Sequence, residues 1–288
     1  MSKSLRFAVL LGLVSTTAGA QVIVTPSAPN GWGIDPIRGA PTGGGVQAIT
    51  TAAPRSGLGS LMMSVSNNGA DRTGMGIMQN YGSLSSLTAL SFDWMASAPA
   101  TQSPTLRMYL DVANPTGGRM TGQMAWYVDN SINGSVPTNT WTTSNLLDSD
   151  GNNKFFLRFF GNSLVPVSSG QLATSCVNTA RGSDFNARMQ DIAAWEGACT
   201  GSGGTVDLSD AQVIGLSLDM GAWPGSGSYT ETNYMDNVTI GFAGAAPTSY
   251  NFEPDAAVVA TPEPASLFLL GTGLVSVIGF SRRRRTAR

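Results

Sequence analysis

Asp148-Ser149-Asp150-Gly151-Asn152 sets oxygen-bearing side chains at alternate positions, the pattern with which acidic loops ligate Ca²⁺, so Asp148, Asp150 and Asn152 are candidate metal ligands. The run lacks the downstream bidentate glutamate and the glycine placement of an EF-hand, and a polar hairpin turn accounts for it equally well. A second chemistry is glycan binding, in which aromatic faces stack on the C–H surfaces of sugars while polar side chains read the hydroxyls. Trp141, Trp223, Tyr127 and Tyr229 are the rings expected at the surface, and Trp223 and Tyr229 flank Pro224-Gly225-Ser226-Gly227-Ser228, a loop suited to the rim of a sheet. The other reading of these rings is core or edge packing.

Catalysis loses most of its usual machinery. The chain has no histidine, which removes Ser-His-Asp and Cys-His nucleophiles, and Lys154 is the one lysine between residues 21 and 261. Glycoside hydrolysis needs a pair of carboxyls. In the same stretch the glutamates are Glu196, Glu231 and Glu253, none of them in a short acidic motif on a strand. Asp93, Asp111 and Asp219 each alternate with apolar residues, the spacing of a solvent-facing strand side. The expectation is a protein that is not an enzyme.

The two cysteines, Cys176 and Cys199, have no third thiol to compete with and are expected to form a disulfide if the domain is secreted. Closing that loop of about 24 residues should contribute roughly 3 kcal/mol. Two thiols and no histidine leave no conventional zinc site.

The elements that must position these groups read as strands. Leu61, Met63 and Val65 fall at alternate positions on one face, as do Leu90, Phe92 and Trp94, and Leu106, Met108, Leu110 and Val112. The series continues with Met124, Trp126 and Val128, with Phe155, Leu157 and Phe159, and with Ile214, Leu216, Leu218 and Met220, and ends on a strand over residues 234–242. The spacing, with long intervening loops, predicts an all-β, two-sheet sandwich whose strands cross between sheets. Ser183 is a candidate N-cap for a short helix to about residue 197, with Phe185, Met189, Ile192 and Trp195 at helical spacing inside the cysteine loop. Residues 21–45, rich in Pro and Gly, are expected to be irregular with Trp32 packed on the sandwich, and residues 243–261 to form a linker.

Both ends carry targeting signals. Lys3 and Arg6 precede an apolar run over residues 7–14 and then Ala18-Gly19-Ala20, a secretory signal peptide with cleavage by signal peptidase expected after Ala20. At the other end stand Pro262-Glu263-Pro264, an apolar run of 16 residues over 265–280, and Arg282, Arg283, Arg284 and Arg285. As a helix the run would cover about 24 Å, short for a permanent anchor. The arginines hold the C-terminus in the cytoplasm, which puts everything before Pro262 on the other side of the membrane. The triplet cannot continue a helix and leaves an extended stretch at the boundary, accessible to a processing enzyme. A plain C-terminal membrane helix is the alternative.

Thr261-Pro262-Glu263-Pro264-Ala265-Ser266, the apolar helix and the arginine cluster together resemble the PEP-CTERM sorting signal of Gram-negative bacteria. The resemblance implies recognition by an exosortase, transient insertion of the helix in the inner membrane, its removal, and a surface or extracellular-matrix product associated with exopolysaccharide and biofilm. Removing both ends takes away Lys3, Arg6, Arg282 to Arg285, Arg288 and Glu263. That leaves 9 basic and 17 acidic residues, a net charge near −8 in place of −2. So acidic a product has no electrostatic reason to bind nucleic acid or an anionic bilayer, and though the excess could attract Ca²⁺, solubility is the more ordinary reason for it.

Gly57-Leu58-Gly59-Ser60-Leu61 feeding a strand, with Tyr234-Met235-Asp236-Asn237-Val238-Thr239-Ile240 as the last strand, resembles jelly-roll domains of the galactose-binding and carbohydrate-binding-module type. The resemblance implies a jelly-roll fold for residues 21–242. It also adds Asp236, at a position where such modules hold structural Ca²⁺, to the candidate ligands. A structural or adhesive matrix role comes first, a glycan-binding module second and a glycoside hydrolase third.

Overall fold

In the computed structural model the alternating segments become strands, because each lays one row of apolar side chains on the core and the other row away from it. The structure describes residues 19–66, 71–113, 117–128, 133–147, 153–160, 199–201, 204–206, 208–221 and 230–255. The strands are β1 (Ala20–Val24), β2 (Gly33–Ile34), β3 (Val46–Thr50), β4 (Ser60–Ser66), β5 (Arg72–Ser83), β6 (Leu87–Ala96), β7 (Thr105–Ala113) and β8 (Arg119–Trp126). They continue with β9 (Thr142–Asn145), β10 (Phe156–Phe160), β11 (Cys199–Gly201), β12 (Gly204–Val206), β13 (Gln212–Gly221), β14 (Thr230–Phe242) and β15 (Thr248–Phe252). Among the described residues the helical structure is a single 3-10 turn, Leu84–Ser86, and no helix is long and apolar enough to cross a membrane.

Two sheets face each other. One has seven strands, with β14 at its centre, and the other has six in the order β10-β8-β7-β13-β5-β2, while β11 and β12 form a separate pair. The chain crosses repeatedly between the two large sheets, after β1, β2, β4, β5, β6, β8, β9 and β13. One continuous core lies between them, with Met63, Phe92, Trp94, Leu110, Met124, Leu216 and Leu218 buried from both sides.

Strand β14 has a forked edge. It pairs with β6 along one side, and on the other with β4 over residues 230–235 and then with β15 over residues 238–240. The change falls at Asp236 and Asn237, where the register with β6 also shifts and Asn237 takes φ 50°, a left-handed conformation that asparagine tolerates.

Three expectations are corrected. Residues 248–252 do not belong to a linker: β15 pairs antiparallel with β14 and parallel with β1, whose register runs from Ala20 opposite Thr248 to Val24 opposite Phe252. Residues 21–45 accordingly contain two strands, and Trp32 packs edge-on against Tyr250 and Phe252 at 5.3 and 5.1 Å. In β13 a bulge between Val213 and Gly215 changes the phase, so Val213 enters the core and Ile214 turns outward against Ile37 and Tyr109. By contact density the chain divides into two compact units, residues 1–254 and 255–288. The second lies outside the described residues except for Asp255, as do the proposed signal peptide up to Ala18, the helix at 183–197, Cys176, and the sorting residues Pro262, Glu263, Pro264 and Arg282 to Arg285.

Candidate functional site

The fork in β14 gathers a set of polar side chains on the outer face of the seven-stranded sheet. Asp236 is fully buried and accepts the Phe252 N–H at 2.9 Å through Oδ1 and the Ser56 N–H at 3.3 Å through Oδ2. The two bonds satisfy main-chain donors where β4 gives way to β15. Asp93, cross-strand from Asp236 on β6, points outward between the core residues Phe92 and Trp94. Its carboxylate accepts Arg55 Nε at 2.9 Å, Asn237 Nδ2 at 2.9 Å and Thr143 Oγ1 at 2.5 Å. Arg55 also lies 5.7 Å from the centre of the Trp141 ring, within cation–π range. Glu253, just beyond β15, accepts the N–H groups of Leu58 and Gly59 at 2.7 and 3.0 Å and so clamps the 55–59 loop to the end of β15.

A second cluster covers the outer face of the six-stranded sheet. Arg107 grips Asp219 with two bonds, Nε at 2.6 Å and Nη2 at 2.9 Å, and Arg38 adds a third at 2.5 Å. Tyr109 donates to the carboxylate of Asp35, 2.7 Å from Oδ1, and Asp35 Oδ1 also caps the N–H groups of Ile37 and Arg38. The 35–38 turn sits low on the sheet because Gly76 leaves room: a Cβ there would stand 2.9 Å from Pro36 Cδ.

The surroundings set the charge states. Burial of Asp219 disfavours its anion, but Arg107 and Arg38 outweigh that and hold its pKa below the ordinary range. Burial likewise opposes the Arg107 charge, and Asp219 overcomes it, raising the pKa of Arg107. Burial, reinforced by the Asp35 carboxylate, pushes the Tyr109 hydroxyl well above the usual value, so it stays a proton donor. At the fork, burial raises the Asp236 carboxyl to about 6 against the opposing effect of its main-chain hydrogen bonds.

Of the residues singled out from the sequence, Trp141 and Asp236 are brought to the same loop, the first against Arg55 and the second against Ser56. Trp141 is half-buried. Tyr127 is buried at 8 % exposure, not open to solvent as expected. Trp223, Tyr229, Asp148, Asp150 and Asn152 lie outside the described residues. Cys199 opens β11, opposite Val206 in β12. Asp93 and Asp219 do point away from the core, yet at 6 % and 2 % exposure they are covered by arginines, whereas Asp111 is only half-buried and pairs with Arg119 at 3.2 Å. Among the described residues no group of three or more His, Cys, Asp or Glu side chains is placed to hold a metal ion. Arg55, Asn237, Arg107 and Tyr109 escaped sequence reading. The available signal was an arginine set inside an apolar strand pattern, Arg107 between Leu106 and Met108.

The described chain is thus a two-sheet β-sandwich whose outer faces are closed by ion pairs, followed by a separate tail. Residues 260–285 match the model of the PEP-CTERM protein-sorting motif. The motif marks the chain as an exosortase substrate and implies export to the cell surface, and it covers the tail alone. None of the curated proteins compared with the chain matches it. Among solved structures, an endo-β-1,4-glucuronan lyase from the fungus Trichoderma reesei aligns over 71 % of this chain and 90 % of its own at 14 % identity and a TM-score of 0.37. An exo-β-agarase aligns over 76 % of this chain and 24 % of its own, with 16 % identity and a TM-score of 0.32. A further agarase aligns over 69 % and 23 %, with 12 % identity and a TM-score of 0.28. Likeness at this level assigns no activity to the sandwich.

Proposed function

We propose that this chain is a non-catalytic structural or adhesive component of a bacterial extracellular matrix, exported with a signal peptide cleaved after Ala20 and trimmed by an exosortase at its C-terminal signal. The observation that carries the reading is the sorting motif at residues 260–285. The sandwich would be a jelly-roll-like module associated with exopolysaccharide or biofilm, with Cys176 and Cys199 bridged around a short helix. Support for a non-catalytic role comes from the carboxylates at the two polar clusters. Asp219 is taken up by Arg107 and Arg38, and Asp93 by Arg55, Asn237 and Thr143, so both serve as fasteners between strands and loops.

Glycan binding is the second reading, favoured by the half-buried Trp141 ring beside the exposed Arg55. Cell fractionation tests the first. The wild-type chain should accumulate at the surface or in the medium, and Pro262→Ala/Glu263→Ala should remain in the inner membrane with its helix attached. Equal distribution of the two proteins would contradict the proposal.

A further inference from the structure

Strand β1 forms one edge of the seven-stranded sheet and, among the described strands, pairs with β15 alone. Its register decides which of its main-chain groups belong to the ladder. The Ala20 N–H donates to the Pro247 carbonyl at 3.0 Å and the Val24 carbonyl accepts the Glu253 N–H at 2.9 Å, so Ala20, Val22 and Val24 turn their main-chain groups toward β15. Alternate residues of a strand turn these groups to opposite sides, which aims those of Gln21 and Ile23 at the open edge. The Ile23 carbonyl agrees with this, since it accepts the Asn30 side-chain amide at 2.6 Å and not a β15 donor. The Gln21 side chain is exposed, and Ser249, opposite it in β15, is hydrogen-bonded through its hydroxyl to Thr239 at 2.9 Å.

Cleavage after Ala20, the part of the proposed function on which this inference rests, makes Gln21 the first residue and its nitrogen a free α-amine. We propose that Gln21 is a modification site at which the new N-terminus closes on itself to pyroglutamate. The neutral amine attacks the side-chain amide carbon: a bond forms between Nα and Cδ, the bond from Cδ to Nε2 breaks, and one proton moves from the amine to the leaving nitrogen, which departs as ammonia. No oxidant, reductant or second reactant is needed. An α-amine is neutral in appreciable part near pH 7, where a lysine is not, and the two reacting groups belong to one residue, so closure needs no encounter. The fold leaves both groups free to meet, because the amine faces the open edge and the side chain lies in solvent. The ladder from Val22 onward, held by the buried Val24, is untouched by the ring. The product is an uncharged N-terminus at a sheet edge, closed to aminopeptidases.

The test uses the full chain, expressed with its signal peptide in its native host and recovered after export. Free amines are labelled by reductive methylation at harvest, before digestion, and the N-terminal peptide is read by mass spectrometry, so that a ring formed during digestion is not counted. The expected result is a peptide that begins at Gln21, is lighter by one ammonia than the open form and carries no label at its N-terminus. Pyroglutamyl aminopeptidase should shorten that peptide to one beginning at Val22. Gln21→Ser, which has no side-chain amide to attack, should be labelled at its first residue. A wild-type peptide that begins at Gln21 with an open, labelled amine overturns the proposal and leaves the cleavage reading standing. A first residue other than Gln21 overturns the cleavage reading and the proposal with it.

Discussion

The Asp236 carboxylate accepts the main-chain N–H of Phe252 at 2.9 Å, which ties the point where β14 changes neighbours to the last strand of the sandwich. Its other oxygen holds Ser56, the residue after Arg55, so the loop that carries the Arg55–Trp141 contact and the strand that leads to the tail share one buried acid. Structural fastening thus lies behind the surface patch that is the best candidate for ligand contact.

That acid gives the fold a pH signature. Its carboxyl is raised from 3.8 to about 6 chiefly by burial, with the Glu253 charge adding to the effect; Asp93 across the strand is paired with Arg55. A raised folded-state pKa means that protonation favours the folded chain. The contribution is complete below about pH 4 and is lost as pH rises through 6, with a size on the order of 2–3 kcal/mol. Urea midpoints between pH 4.5 and 8 should therefore fall more steeply for the wild type than for Asp236→Asn. Parallel profiles would show that Asp236 does not titrate in this window.

Asp219 and Arg107 form the buried pair of the six-stranded sheet, and removing one partner leaves the other charged and dry. Asp219→Ala and Arg107→Ala should each lower stability by about 3–5 kcal/mol, while replacing both with apolar residues should cost less than either alone. Chemical denaturation of the three variants checks this. Additive losses would mean that the two residues are not coupled.

The alternation that buries Leu106, Met108, Leu110 and Val112 was legible because a strand's core face depends on period alone. What covers the opposite face was not. Asp219 meets Arg107 at a separation of 112 residues and Arg38 at 181, and although an arginine between Leu106 and Met108 hints at a partner, nothing local says which carboxylate it meets. Likewise β15 reads as a spacer, since Pro247 and Pro254 flank a mixed segment whose burial comes from β1, β14 and Trp32 and not from its own periodicity. β5 was hidden by Gly74 and Gly76, which keep the outer face low enough for the 35–38 turn. Within the candidate site Trp141 and Asp236 were legible as residue types, but Arg55, which joins them, was not.

Trp141 separates the two readings of the sandwich. Its ring is half-buried and its contact with Arg55 contributes about 0.5–1 kcal/mol, so Trp141→Ala should fold with little loss of stability. A glycan-binding module would lose retention on a glycan array with that change or with Trp223→Ala. A structural matrix component would give no array signal in either form. Turnover of a polysaccharide, abolished by replacing a specific carboxylate, would contradict both.

Removal of the C-terminal signal from an exported chain can be read by peptide mass spectrometry of the protein recovered from its native host. The expected mature protein begins at Gln21 and lacks every peptide containing Arg282 to Arg285. Recovery of the intact tail on the surface-located protein would contradict it.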